Sequence, residues 1–591
     1  DLITSERRIQ HSRVISRRIK MKFATTILPG LMLLAGSVSA QTTPPTVAKT
    51  VPVNYTHEGF QLLGHLSVPE NGTGPFPAVI IIPDWDGVNE YEQIRATLVT
   101  EEWNMVGFAA DIYGADKQTV EDFDERVELA TLYRSNSTLF AERIQAAVDL
   151  IKEHEKVDAS QIALFGYCFG GSGVLMYGFE GYGEEDVQAV VSFHGGLSSV
   201  AASNATFGPK ALVLSGGEDD MASEIMELEM LLDSVSAPWE ITRYSGIEHA
   251  FTVWDDDRYN EWADLRSWQS AGHFILEAFG IIELTSAQPD EVDVTPVNYT
   301  GVDGKELMGY LAMPSAEWQR PLPAVVVFPD WDGVNMYEKE RAAALAAEGY
   351  VAFAADIYGA DMQELVETQD KVEAVTKYRT DPELYVSRMQ DAIDQVKALT
   401  DDVDSDEIAI IGYCFGGSGV VLYALSNGTD AKVAVPFHGS FQEMPPVQGD
   451  INSYILVLSG GDDDAHGNQT TMEEAFDQGQ ADWEITRYAG ILHGYTKWGS
   501  DAYDLFADAR SWESMMTSFT ELLAVPGKVG VNGTVEESDP CAVSRDESLC
   551  PPEESSPSAQ SANMDSSAYS AFGGIFYIGA VVSAFGSLFA L

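Results

Sequence analysis

Short apolar and β-branched runs recur along the chain, each closed by glycine, proline or a charged residue. In the first half they read PAVIIIPD, VGFAADIY, QIALFGY, VQAVVSFHG, ALVLSGG and WEITRYSG. Runs of this length with no polar alternation predict strands covered on both faces, as in a parallel sheet. Between them lie stretches with apolar positions at helical spacing, such as TLFAERIQAAVDLIKEH at 138–154 and RSWQSAGHFILEAFG at 266–280. Strands alternating with helices predict an α/β fold with a mostly parallel, doubly wound sheet. Ligands in such folds gather at the carboxyl ends of the strands.

The whole pattern occurs twice. PVNYT at 52–56 returns at 296–300, PDWDGVN at 83–89 at 329–335, AADIYGAD at 109–116 at 354–361, and WEITRY at 239–244 at 483–488. A period of about 245 residues is the size of a whole domain, not of a solenoid repeat. The expected organisation is therefore two tandem domains, 46–283 and 296–525, joined by a polar linker at 284–295.

Charge narrows the partners. The chain carries 92 acidic and 34 basic residues, a net charge of −58. This excludes a nucleic-acid groove and an anionic membrane surface as partners and points to a small-molecule ligand. No His, Cys and Asp spacing matches a metal-ligand set, so neither metal nor other cofactor is expected.

The two ends carry processing signals. After the basic residues 1–20, Met21–Ala40 has an apolar run, TILPGLMLLAG, and a small-residue site, VSA, and reads as a signal peptide. Eight N-x-S/T sequons, at Asn54, Asn71, Asn136, Asn204, Asn298, Asn427, Asn468 and Asn532, agree with passage through a secretory pathway. Residues 526–570 form an acidic, Ser/Pro-rich stalk, and 571–591 an apolar tail with no charge after it. Small residues, a short spacer and an apolar tail match a GPI-attachment signal, with Ser561, Asn563 or Ser566 as attachment sites. A membrane-spanning tail is the alternative. The expected location is the extracellular surface, with membrane contact only through this C-terminal anchor.

The chemistry lies just beyond the predicted strands. IALFGY at 162–167 runs into Gly166-Tyr167-Cys168-Phe169-Gly170-Gly171, and the second half repeats it around Cys414. Small residues around a nucleophile between strand and helix permit a strained turn that lifts it above the sheet. A thiol at a helix N-terminus is biased toward thiolate. Asp219 follows ALVLSGG and His249 follows WEITRYSGIE; in the second half Asp463 and His493 take these places. Nucleophile, acid, base is the chain order of α/β-hydrolases. Glu218, Asp220, Asp462 and Asp464 stand beside the acids as alternatives. His194 and His438, one strand too early, are expected to be structural or pocket-lining and not to act as bases.

With these residues the chain resembles the dienelactone hydrolase family, twice over. The nucleophile turn, a GG-x-D acid turn (Gly216 to Asp219, Gly460 to Asp463) and an H-[GA]-[FY] base loop (His249 to Phe251, His493 to Tyr495) carry the likeness, together with DIYG in both halves. The resemblance implies two α/β-hydrolase domains with Cys-His-Asp triads that hydrolyse an ester or lactone through an acyl-thioenzyme. It implies oxyanion donors at the N–H groups of Trp85 and Phe169, and of Trp331 and Phe415. In the place of the family's thiol-activating glutamate stand Asp84 and Asp330, one methylene shorter, which the resemblance implies are the thiol activators. No match is evident for the arginines that bind a substrate carboxylate in that family. The remaining cysteines, Cys541 and Cys550, close a short loop in the stalk and are expected to form a disulfide. A non-catalytic surface module that keeps the fold for binding or adhesion is the rival class, and intact triads in both halves argue against it.

Overall fold

The computed structural model describes residues 47–183, 186–201, 206–439, 446–463 and 466–524. The signal peptide, the stalk with Cys541 and Cys550, the tail, Asp464 and the sequons at Asn204 and Asn532 lie outside these residues.

In the first half the strands are β1 (Val51–His57), β2 (Phe60–Ser67), β3 (Phe76–Ile82), β4 (Val106–Ala109), β5 (Val157–Tyr167), β6 (Ala189–Phe193), β7 (Lys210–Gly216) and β8 (Trp239–Tyr244). Its helices are α1 (Glu90–Trp103), α2 (Phe123–Arg134), α3 (Ser137–Lys152), α4 (Phe169–Phe179), α5 (Ala222–Ser234) and α6 (Glu261–Ala278). The second half repeats them as β9 (Thr295–Thr300), β10 (Glu306–Ala312), β11 (Leu322–Phe328), β12 (Val351–Ala354), β13 (Val403–Tyr413), β14 (Val433–Phe437), β15 (Tyr454–Gly460) and β16 (Trp483–Tyr488). The matching helices are α7 (Met336–Ala347), α8 (Thr368–Thr380), α9 (Pro382–Lys397), α10 (Phe415–Leu425), α11 (His466–Gln478) and α12 (Leu505–Leu522).

Strands β3 to β8 run parallel in the order 4-3-5-6-7-8, and β1 and β2 add an antiparallel edge. Because β3 reads FPAVIII with almost every position buried, both sheet faces need cover. Helices α1 and α6 pack with Val79, Ile81, Phe165 and Leu212 on one face. Helices α2 to α5 pack with Ala78, Ile80, Leu164 and Val213 on the other. Among the described residues no helix is long and apolar enough to cross a membrane.

The sheets of the two halves are not separate. Strand β8 pairs antiparallel with β16, so that sixteen strands form one sheet. The register is symmetric about Thr242 and Thr486, whose hydroxyls lie 3.0 Å apart. Arg266 reaches Glu484 at 3.0 Å, and Arg510 reaches Glu240 at 2.9 Å, across this junction. A polar cavity of about 50 Å³ between these pairs is also lined by His273 and Glu513. That volume suits a few waters.

Candidate active site

Each thiol stands on a turn that only its neighbours make possible. Cys168 joins β5 to α4 with φ 49° and ψ −107°, and Cys414 joins β13 to α10 with φ 54° and ψ −110°. A non-glycine residue rarely adopts such a left-handed backbone, and strain of this kind concentrates at functional sites. Room for the turn comes from the glycines. A Cβ on Gly166 would lie 2.1 Å from the Gly170 carbonyl oxygen, and one on Gly170 2.2 Å from that of Ile82. The Cys168 N–H donates to the Phe193 carbonyl at 3.0 Å, tying the turn to β6.

The base and acid come from the loops after β8 and β7. His249 Nδ1 lies 2.7 Å from Asp219 Oδ1, and His493 Nδ1 lies 2.6 Å from Asp463 Oδ1. Asp219 is thus the carboxylate on the base. Its neighbour Asp220 instead accepts from the Ser215 hydroxyl at 2.8 Å. Burial works against a charged imidazole at His249, but the Cys168 sulfur and the Asp219 hydrogen bond outweigh it and hold its pKa well above the usual histidine range. At His493 burial is likewise outweighed by Asp463, and the pKa is again raised.

His194 and His438 lie beneath the bases, edge to face with them at 5.2 and 5.1 Å between ring centroids. Burial first, then the neighbouring base, pushes both well below the usual pKa, so they are neutral. Each Nε2 pairs with a threonine hydroxyl of the base loop, Thr252 or Thr496, at 2.7 Å. Sequence reasoning did not find these threonines. Their only signal is a place three residues after each base.

Burial raises the pKa of both thiols. At Cys168 the Asp84 carboxylate adds to the rise and His249 opposes it. At Cys414 burial, and then the Asp330 carboxylate, raise the pKa well above the ordinary value. The Trp85 N–H donates to Asp84 Oδ1, and the Trp331 N–H to Asp330 Oδ1, both at 2.5 Å.

The loop that holds Asp84 is fixed by the start of α1. Asn89 accepts from the Tyr91 N–H at 2.7 Å, and Glu92 accepts from the N–H groups of Asn89 and Asp84 at 2.9 and 3.3 Å. This is a capping box with one added bond to the acid's own backbone. Burial pushes Glu92 up to about 8.

A cation separates the halves. Lys497 Nζ donates to Asp330 and Asp332 at 3.0 and 2.9 Å, where the first half has Val253 in the matching place. Among the described residues no group of three or more His, Cys, Asp or Glu side chains is placed to hold a metal ion.

A thiol at a strand-to-helix turn, with an aspartate and a histidine on the loops of the following parallel strands, fits the α/β-hydrolase class. Within that class the chain belongs to the dienelactone hydrolase family, whose model matches residues 63–279 and again 307–523. A Bradyrhizobium protein named as a 2-oxo-3-(5-oxofuran-2-ylidene)propanoate lactonase is 26% identical over 230 residues, 36% of this chain and 90% of that protein. A Synechocystis protein named as a carboxymethylenebutenolidase is 29% identical over 233 residues, 37% of this chain and 93% of that protein. Among solved structures, a dienelactone hydrolase-like promiscuous phosphotriesterase from metagenomic libraries is 31% identical. It covers 39% of this chain and 99% of its own, with a TM-score of 0.37.

Proposed function

We propose that each half of the chain hydrolyses an ester or lactone through an acyl-thioenzyme, on Cys168 in the first half and Cys414 in the second. The observation that carries this reading is the histidine–aspartate hydrogen bond, at 2.7 and 2.6 Å, repeated beside a thiol on a left-handed turn. Relatives named as lactonase and carboxymethylenebutenolidase support the substrate class.

In the first site the Cys168 proton passes to His249, and the sulfur attacks the acyl carbon. The carbonyl electron pair moves to oxygen, where the N–H groups of Trp85 and Phe169 receive the charge. His249 then gives its proton to the leaving oxygen as the C–O bond breaks, and Asp219 steadies the imidazolium. Water attacks the thioester, His249 takes its proton, and the acid leaves as the C–S bond breaks. In a lactone the alcohol stays tethered to the product. The second site is read the same way, with Cys414, His493 and Asp463 in these roles and the N–H groups of Trp331 and Phe415 receiving the charge.

A slowly hydrolysed ester, quenched in acid during turnover, is expected to leave its acyl mass on the peptides carrying Cys168 and Cys414. Hydrolysis that proceeds with the label on neither peptide would defeat the mechanism.

We also propose a surface-anchored location, resting on the sequence signals at the two ends. Asn54, Asn71, Asn136, Asn298 and Asn427 are exposed, whereas Asn468 is half-buried on α11 with its amide nitrogen buried. Glycopeptide mapping is expected to find sugar at exposed sequons and none at Asn468, and a phosphatidylinositol-specific phospholipase is expected to release the protein from membranes. A chain without sugar, or one that resists release, counts against this location.

A further inference from the structure

We propose that each acid turn is held in place by the opposite half of the chain, with Glu473 positioning Asp219 and Glu229 positioning Asp463. The proposal rests on the reading of Asp219 and Asp463 as catalytic acids.

The acid turn Gly216–Asp220 follows β7 and lies against the end of β8, the strand that crosses to the second half. Its Gly217 and Glu218 N–H groups donate to the carbonyls of Tyr244 and Ile247 at 2.7 and 3.0 Å. Its Gly217 and Asp220 carbonyls both accept from Arg243 Nη2, at 3.3 and 2.6 Å. The other terminal nitrogen of that guanidinium is paired with Glu473, which belongs to α11 of the second half. The Arg243 side chain is 1% exposed and that of Glu473 8%, and Gln469 holds the glutamate from one turn away at 2.9 Å. One buried guanidinium therefore spans two tasks: it closes the acid turn and takes its counter-charge from the other half.

The opposite half also supplies a wall. A Cβ on Gly217 would meet the Trp483 indole at 3.3 Å, so the tryptophan lies flush on the turn. Trp483 is itself fixed to the first half, its N–H on the Ser245 hydroxyl at 2.8 Å and its carbonyl accepting from the Ser245 N–H at 2.9 Å.

The arrangement is reciprocal. Arg487 Nη2 donates to the Gly461 carbonyl at 3.1 Å, and its Nε to Glu229 of α5 at 2.9 Å. Trp239 stands 3.1 Å from where a Gly461 Cβ would be. Two other ion pairs of the junction, Arg266–Glu484 and Arg510–Glu240, form no hydrogen bond with either acid turn among the described residues. They supply the control that separates positioning from mere attachment.

The test uses the full chain with one site silenced. In Cys414→Ala, where only the first site turns over, Glu473→Gln is expected to lower kcat on the order of tenfold to a hundredfold with little change in KM. Displacing a catalytic group by about an ångström has effects of that size. Asp219 raises the His249 pKa, so a displaced Asp219 lets it fall, and the acidic limb of the kcat–pH profile moves to lower pH. Glu473→Asp, which keeps the charge, is expected to recover part of the rate. In Cys168→Ala the same Glu473→Gln costs the second site much less, and Glu229→Gln shows the reverse preference.

The His249 ring titration, followed by NMR in the full chain, reads the same displacement without turnover. It is expected to shift down in Glu473→Gln and to stay in place in Glu484→Gln. Unchanged kcat and titration in folded Glu473→Gln overturn the proposal, as does an equal loss in Glu484→Gln or in both sites. Turnover that survives in Cys168→Ala/Cys414→Ala would instead break the thiol mechanism, and the titration would still decide the role of Glu473.

Discussion

Replacing both thiols, Cys168→Ala with Cys414→Ala, is expected to abolish hydrolysis of a small activated ester such as p-nitrophenyl acetate. Loss of one member of a nucleophile–base–acid set costs on the order of a thousandfold or more. Each half has its own thiol, base and acid, so either single variant is expected to keep the turnover of the other half. The two remaining rates need not be equal, because Lys497 pairs with Asp330 in the second half where the first half has Val253. Removing one small side chain from the interior changes stability by only about 1 kcal/mol. Circular dichroism at the assay temperature therefore separates lost chemistry from lost fold. A folded double variant with parental activity would rule out the thiols as nucleophiles.

The second large effect is on stability. Asp264→Ala is expected to destabilise the first half by about 3–5 kcal/mol, the cost of leaving a buried charge without its partner. The Arg95 side chain is 2% exposed, its Nη2 lies 2.5 Å from Asp264, and its guanidinium sits 4.4 Å over the Trp254 ring. The same Nη2 donates to the Thr252 carbonyl at 2.8 Å, so the ion pair also holds the loop that carries His249. Arg95→Met with Asp264→Leu removes both charges and is expected to cost much less in stability. Its base loop would still be loosened, and first-site turnover would fall. Urea unfolding of the three variants, followed by tryptophan fluorescence, checks the order. A loss for Asp264→Ala no greater than for the double variant would show that Arg95 finds other compensation.

The strands and their flanking glycines were legible because a strand covered on both faces needs an uninterrupted apolar run, and the turn after β5 needs residues without a Cβ. Spacing placed an aspartate and a histidine beyond the right strands but could not choose among Glu218, Asp219 and Asp220. Only the loop path brings Asp219 and not Asp220 onto His249. The helix before the linker was expected at 266–280 and runs Glu261–Ala278, because Asn260 caps it by accepting from the Ala263 N–H at 2.9 Å. Two features were not legible. WEITRY reads as a strand in each half, but nothing local says that the two copies pair with each other. Nor does anything local say that Lys497 pairs with Asp330, at a position where the first half has Val253.

The junction of β8 with β16 has a consequence for how the halves can diverge. Two separate subunits meeting through the same surface would come from one gene, and a substitution would appear on both sides of the axis at once. Here the partners are tethered, and a short tether sets a local concentration in the millimolar range, so association no longer depends on dilution. Every molecule pairs one copy of each half. A difference such as Val253 against Lys497 is therefore carried by one side alone. Duplication with tethering lets one site drift in chemistry under cover of a partner that still completes the fold.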